Sequence, residues 1–133
     1  MITIARNQFY EFSYEPDKNR IHFRMLGYWK SPEVVPEYLK DWGKTLEMAK
    51  PGFTLIADVR DMITHPVTVK QLHEKAIESC VDAGITYVAE ISPLDKIAVL
   101  QTGGMAKEKQ VPYIKVLDYT LAGHILDQLQ QEK

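Results

Sequence analysis

The segment Gly52-Phe53-Thr54-Leu55-Ile56-Ala57-Asp58-Val59-Arg60-Asp61-Met62 constrains the fold of this chain more than any other. An apolar run behind a Pro51-Gly52 turn ends in charges, and a helix start follows at Thr68. A half-exposed strand alternates apolar and polar residues, whereas a strand buried on both faces reads as a continuous apolar run and belongs to a parallel sheet covered by helices. The strand at Thr54 to Val59 is therefore expected at the centre of a sheet. Its charged carboxyl end should sit on the edge where open α/β folds place function.

Ahead of this strand, Tyr10, Phe12 and Tyr14 share one face at period two, and Ile21, Phe23 and Met25 do the same beyond the turn-rich Glu15 to Asn19. This predicts an antiparallel hairpin whose second arm reaches Gly27-Tyr28-Trp29. Ser31-Pro32-Glu33 reads as a helix start, with Pro36 delaying regular helix by a turn. The stripe is then Val35, Leu39, Trp42, Leu46 and Ala49. Thr68-Val69-Lys70-Gln71 fits a capping box, with Val67 and Leu72 as its hydrophobic staple. Val69, Leu72, Ala76, Cys80 and Ala83 form the buried face of that helix, and Gly84 ends it. A strand is predicted at Tyr87 to Ile91 and a helix from Leu94 to Met105, with a break at Gly103-Gly104, although Lys96 to Leu100 also fits a strand. A last strand spans Pro112 to Leu117, and Asp118 caps a final helix buried through Leu121, Ala122, Ile125 and Leu129. Strands that alternate with helices imply right-handed crossovers, so the expected fold class is α/β: residues 1–133 form one domain with a single mixed sheet, opening on an antiparallel hairpin and carrying helices on both faces.

At 133 residues the chain can bury a core without staples, and a net charge of −2 provides no field for nucleic acid. A single cysteine, Cys80, excludes an internal disulfide framework and points to a reducing, cytoplasmic setting. No spanning apolar stretch and no signal peptide are read, because the apolar start breaks at Arg6. Of the 13 aromatic residues, ten lie between Phe9 and Phe53, where they pack a core or line a groove or dimer face.

No catalytic or metal motif is complete, and no cofactor is implied. His73-Glu74 begins like a zinc-protease helix, but Ile77 stands where the second histidine belongs. Cys80 lies on the apolar stripe and reads as a core residue. Gly103-Gly104 matches neither a P-loop nor a dinucleotide fingerprint, and Lys107, Glu108 and Lys109 read as a solvated face. At the carboxyl end of the central strand, Arg60 either pairs locally with Asp58 or Asp61 or contacts a ligand or partner. Thr64, His65 and Thr68 belong to the following loop, where His65 beside Pro66 reads as exposed. A hydroxyl at a helix N-terminus can carry phosphate favourably, although capping alone accounts for Thr68.

Taken together, Gly27-Tyr28-Trp29, the strand Leu55-Ile56-Ala57-Asp58-Val59-Arg60, the helix end at Ala83-Gly84 and the last helix through Ala122 and Leu126 resemble the STAS-like superfamily, in its branch of small bacterial SpoIIAA-like proteins, whose fold is also similar to CRAL-TRIO domains. Anti-sigma-factor antagonists of that superfamily carry Asp-Ser-Ser-Gly after such a strand, with the second serine phosphorylated. Aligned from Asp58, the resemblance puts Thr68 on the phospho-acceptor, with Pro66 and Val67 in place of Asp-Ser and Val69 in place of the glycine. It implies a protein partner, kinase-like or sigma-regulatory, and a capacity to dimerise. The sequence thus reads as a non-enzymatic interaction module whose partner surface comprises Arg60, Asp61, Thr64, His65 and Thr68. The alternative is a carrier of a small apolar molecule or lipid in a pocket of Tyr28, Trp29, Tyr38 and Trp42, and an enzyme built on Asp58, Asp61 and His65 comes third.

Overall fold

The computed structural model describes residues 1–63, 65–92 and 111–131. In chain order these form β1 (Ile2–Arg6), β2 (Tyr10–Glu15), β3 (Arg20–Gly27), α1 (Tyr38–Met48), β4 (Thr54–Met62), α2 (Val67–Ala83), β5 (Tyr87–Ile91), β6 (Tyr113–Val116) and α3 (Tyr119–Gln131). The six strands make one mixed sheet in sequence order, antiparallel from β1 to β3 and parallel from β3 to β6. The sheet is therefore α/β as the pattern of elements requires, with β4 in its interior and buried on both faces.

Each face has its own core. Tyr10, Phe12 and Tyr14 of β2, Phe23 and Met25 of β3, and Leu55 and Val59 of β4 pack against Tyr38 and Trp42 of α1 and Val69, Ala76 and Cys80 of α2. On the opposite face Ile56, Ala89, Ile91 and Val116 pack against Ala122 and Leu126 of α3. The aromatics of the front half thus fill the larger core. The Phe12 ring, for instance, lies 4.8 Å from both the Phe23 and the Trp42 ring centres.

Several sequence expectations change in detail. β1 was not anticipated: an exposed edge strand of five residues carries little periodic signal. β3 stops at Gly27, whose φ of +67° turns the chain out of the sheet, so Trp29 lies beyond the strand. The Ser31-Pro32 start yields only a three-residue 3₁₀ turn at Pro32–Val34, and Pro36 holds back regular helix until Tyr38. The buried stripe of α1 is then Tyr38, Asp41, Trp42 and Thr45, leaving Leu39 exposed. In α3 the stripe turns likewise onto Ala122 and Leu126, leaving Leu121 exposed, while Asp118 caps the helix as expected through its Oδ1, which accepts from Leu121 N at 2.8 Å. The helix predicted over Leu94 to Met105, the Gly103-Gly104 break and the Lys107 to Lys109 face lie outside the described residues.

The start of α2 is the main correction. The helix begins at Val67, with Pro66 in the capping position and no side-chain cap, so Thr68 is an exposed residue of the first turn and not a cap. Proline presets the extended backbone needed before a helix, and Val69 N and Lys70 N both close onto Pro66 O. The staple fails with the cap, because Val67 is 70% exposed. At the other end Gly84 takes φ +98° and closes the helix onto Cys80 O and Val81 O, as its sequence position suggests.

Candidate functional site

A bulge in β4 shapes the carboxyl edge of the sheet. Between the Arg24↔Asp58 and Leu26↔Asp61 pairs, β4 advances three residues while β3 advances two. The extra residue shifts the alternation, so Asp61 joins Asp58 on the face of α3 while Met62 returns to the other core. Two interlocked ion pairs result. Arg60 grips Asp58 through Nε to Oδ1 at 3.1 Å and Nη2 to Oδ2 at 3.0 Å, and Arg24 Nη2 donates to Asp61 Oδ2 at 2.8 Å. Arg24 Nε also lies 3.9 Å from Asp58 Oδ2.

Asp58 is buried, and burial raises its pKa, but hydrogen bonds from the Arg60 side chain and backbone together with the Arg60 charge outweigh this and hold it below the usual carboxylate value. Tyr119 closes the cluster from α3: Arg60 Cζ sits 5.7 Å from its ring centre, and its hydroxyl faces Asp58 closely enough to favour the ionised carboxylate. Burial, followed by the Asp58 charge, raises the Tyr119 pKa. Arg60 is therefore held in place by Asp58 and Tyr119, with a side chain that is still partly exposed.

Of the residues the sequence assigned to the partner surface, Arg60 and Asp61 meet in this cluster and Thr68 lies on the exposed first turn of α2. Thr64 lies outside the described residues. His65 is corrected: far from being an exposed loop histidine, it is 2% exposed and turned into the core. Its Nε2 meets Gly27 O at 3.2 Å, its Nδ1 meets His73 Nε2 at 3.0 Å, and Trp29 stacks on its ring at 5.0 Å. His73 Nδ1 in turn meets the Tyr38 hydroxyl at 3.0 Å. A carbonyl can only accept, so His65 carries its proton on Nε2, and each later link donates back along the chain from Tyr38 through His73 to His65. This loop is thus held from inside by a buried polar chain, while Tyr28, Ile63 and Val67 are exposed to solvent.

The pocket expected from Tyr28, Trp29, Tyr38 and Trp42 does not form as a set. Tyr28 is half exposed at the edge, and Trp29 is fully buried with its indole N–H shared between Phe9 O and Leu26 O. Tyr38 and Trp42 instead line a cavity of about 100 Å³ between α1, α2 and the sheet, together with Ala76, His73, Cys80 and Glu90. Burial pushes the Cys80 thiol up to about 12, in keeping with a core residue. Sequence reasoning missed His73, Glu90, Arg24 and Tyr119. A signal existed for His73, which completes the 69, 73, 76, 80 spacing of α2, and for Glu90, which shares the inward face of β5 with Val88.

Among the described residues no group of three or more His, Cys, Asp or Glu is placed to hold a metal ion, and no helix is long and apolar enough to cross a membrane. No protein-family model matches the chain, and no curated protein or solved structure matches it.

Proposed function

We propose that this chain is a non-enzymatic protein-interaction module of STAS-like type, whose partner, another protein, docks on the carboxyl edge of the sheet. The observation that supports this reading most is the exposure of Tyr28, Ile63 and Val67, at 50%, 53% and 70%, beside the Arg24-Asp61 and Arg60-Asp58 pairs. Ile63 N donates to Gly27 O at 3.0 Å, so Tyr28 and Ile63 leave the sheet side by side. Apolar side chains rimmed by charge are the usual make-up of a protein-binding patch, in which aromatic and Arg residues carry most of the energy. The Arg and Asp groups are already paired, so a partner need not neutralise them, and they favour register over raw affinity. The resemblance seen in the sequence adds a regulatory setting and Thr68, exposed on the same edge, as an acceptor for a partner kinase.

Capture of partners from the native host, followed by affinity measurement, tests the reading. Ile63→Asp with Val67→Asp should abolish binding and Arg60→Ala should weaken it at least about tenfold, whereas Lys44→Ala on the exposed side of α1 should not change it. A complex that survives the double aspartate variant excludes this edge as the docking site. A second copy docking on the edge would appear as a dimer in analytical ultracentrifugation. The alternative reading, a carrier, draws support from the cavity, but about 100 Å³ suits a small molecule better than a lipid, since pockets for drug-sized ligands measure roughly 300 Å³ or more.

A further inference from the structure

We infer that the cavity between α1, α2 and the sheet is a binding site for a small, neutral, hydroxyl-bearing aromatic molecule of about the size of phenol. Protein interiors pack as densely as organic crystals, so a pocket of about 100 Å³ let into the packing between α1, α2 and the sheet is room that a small ligand can fill. An engineered apolar cavity of about 150 Å³ takes up benzene, so a pocket about two-thirds that size limits the ligand to no more than a single small ring. The lining supplies the faces such a ring prefers, with Phe23, Tyr38 and Trp42 on one side and aliphatic residues of β4 and α2 around them.

The polar groups narrow the class further. His73 lines the cavity, but its two ring nitrogens are engaged by Tyr38 and His65, which makes it wall and not receptor. Glu90, which is buried on β5, also lines the cavity, and a carboxyl group offers about four acceptor positions, so it can take a ligand donor without giving up a bond within the protein. The buried indole N–H of Trp42 lies beside the Tyr38 hydroxyl but makes no hydrogen bond of proper geometry. A ligand hydroxyl suits either group, because it donates to a carboxyl and accepts from an indole N–H. The remainder of the wall is apolar, which disfavours a charged ligand. This site is independent of the partner surface, and either assignment can fail without the other.

The test is a titration of the full chain with phenol and with toluene, followed by two-dimensional amide NMR and ligand-to-protein nuclear Overhauser effects. The expected result is saturable one-to-one binding of phenol, with a Kd on the order of 1 mM or below, intermolecular effects onto Ala76, Cys80 and Val88, and affinity at least about tenfold above that of toluene. Ala76→Leu, which fills the void, should remove the binding while leaving the circular dichroism spectrum intact. Should that variant not fold, the contacts mapped on the unaltered chain decide the matter alone. Three results would overturn the assignment: no saturable binding, contacts that fall on the surface, or equal affinity for phenol and toluene.

Discussion

The imidazoles of His65 and His73 meet at 3.0 Å, Nδ1 to Nε2, in a buried stack whose ring centres are 5.2 Å apart. Burial lowers the pKa of both, and for His73, with His65 adding to the effect, it reaches about 3 against an unperturbed 6.5. The folded chain therefore takes up these protons later than the unfolded chain as pH falls. The stability that depends on the neutral pair is complete above pH 6.5 and is lost progressively below it, toward the folded value of about 3. Each unit in that window removes up to about 1.4 kcal/mol through His73, and His65 adds to the loss in the same direction. Urea melts from pH 7.5 downward should show this loss, and His73→Phe should flatten the slope even though it lowers stability at neutral pH. A slope unchanged by the substitution would assign the acid sensitivity to other groups.

Tyr10 donates its hydroxyl to Asp41 Oδ2 at 2.6 Å across the β2–α1 interface. Burial, then the hydrogen bond and charge of Asp41, raise the tyrosine pKa, so the hydroxyl stays a donor throughout the ordinary range. Tyr10→Phe keeps the ring packing but leaves a buried carboxylate without this donor, at a cost of about 1–3 kcal/mol. Tyr10→Phe combined with Asp41→Leu should recover part of that loss, and chemical denaturation of the three variants measures it.

Thr68→Ala should change stability by less than about 0.5 kcal/mol, because the exposed hydroxyl makes no cap and alanine is the better helix former. A loss near the roughly 1 kcal/mol typical of a broken cap would show that the side chain does close the helix in solution. Thermal melts of the two proteins decide between these outcomes.

Gly84→Ala should cost about 1–3 kcal/mol. At φ +98° an added Cβ is strained, and it would also stand 3.0 Å from Pro51 Cα, a backbone atom that cannot swing away. Pro51 belongs to the turn into β4, and Gly52 N donates to Gly84 O at 2.8 Å, so the substitution should loosen both helix end and strand start. Hydrogen exchange at Gly52 and Ile85 should quicken together.

The reach of the sequence ends where periodicity stops carrying information. The run from Thr54 to Val59 placed β4 inside the sheet, and Tyr10, Phe12 and Tyr14 gave the buried face of β2, because alternation and continuous apolarity are direct records of which faces are covered. The last helix and its Asp118 cap were legible for the same reason: a cap is a local hydrogen bond between residues three apart. Thr68 misled because the same local pattern competed with Pro66, whose fixed backbone starts the helix two residues earlier.

What the sequence by itself determined was thus the α/β class, the interior place of β4 and the charged character of its carboxyl end. Only the tertiary structure decided how those charges and the histidines are used. His65 stands beside a proline in a loop and His73 eight residues later on a helix, and nothing local to either brings them to 3.0 Å or hides them from water. Arg24 and Asp61, 37 residues apart, meet only because β3 and β4 run parallel and a bulge turns Asp61 to the same face. A cavity is the space left among side chains from five or more separate segments, so its volume and its lining exist only once all of them are packed.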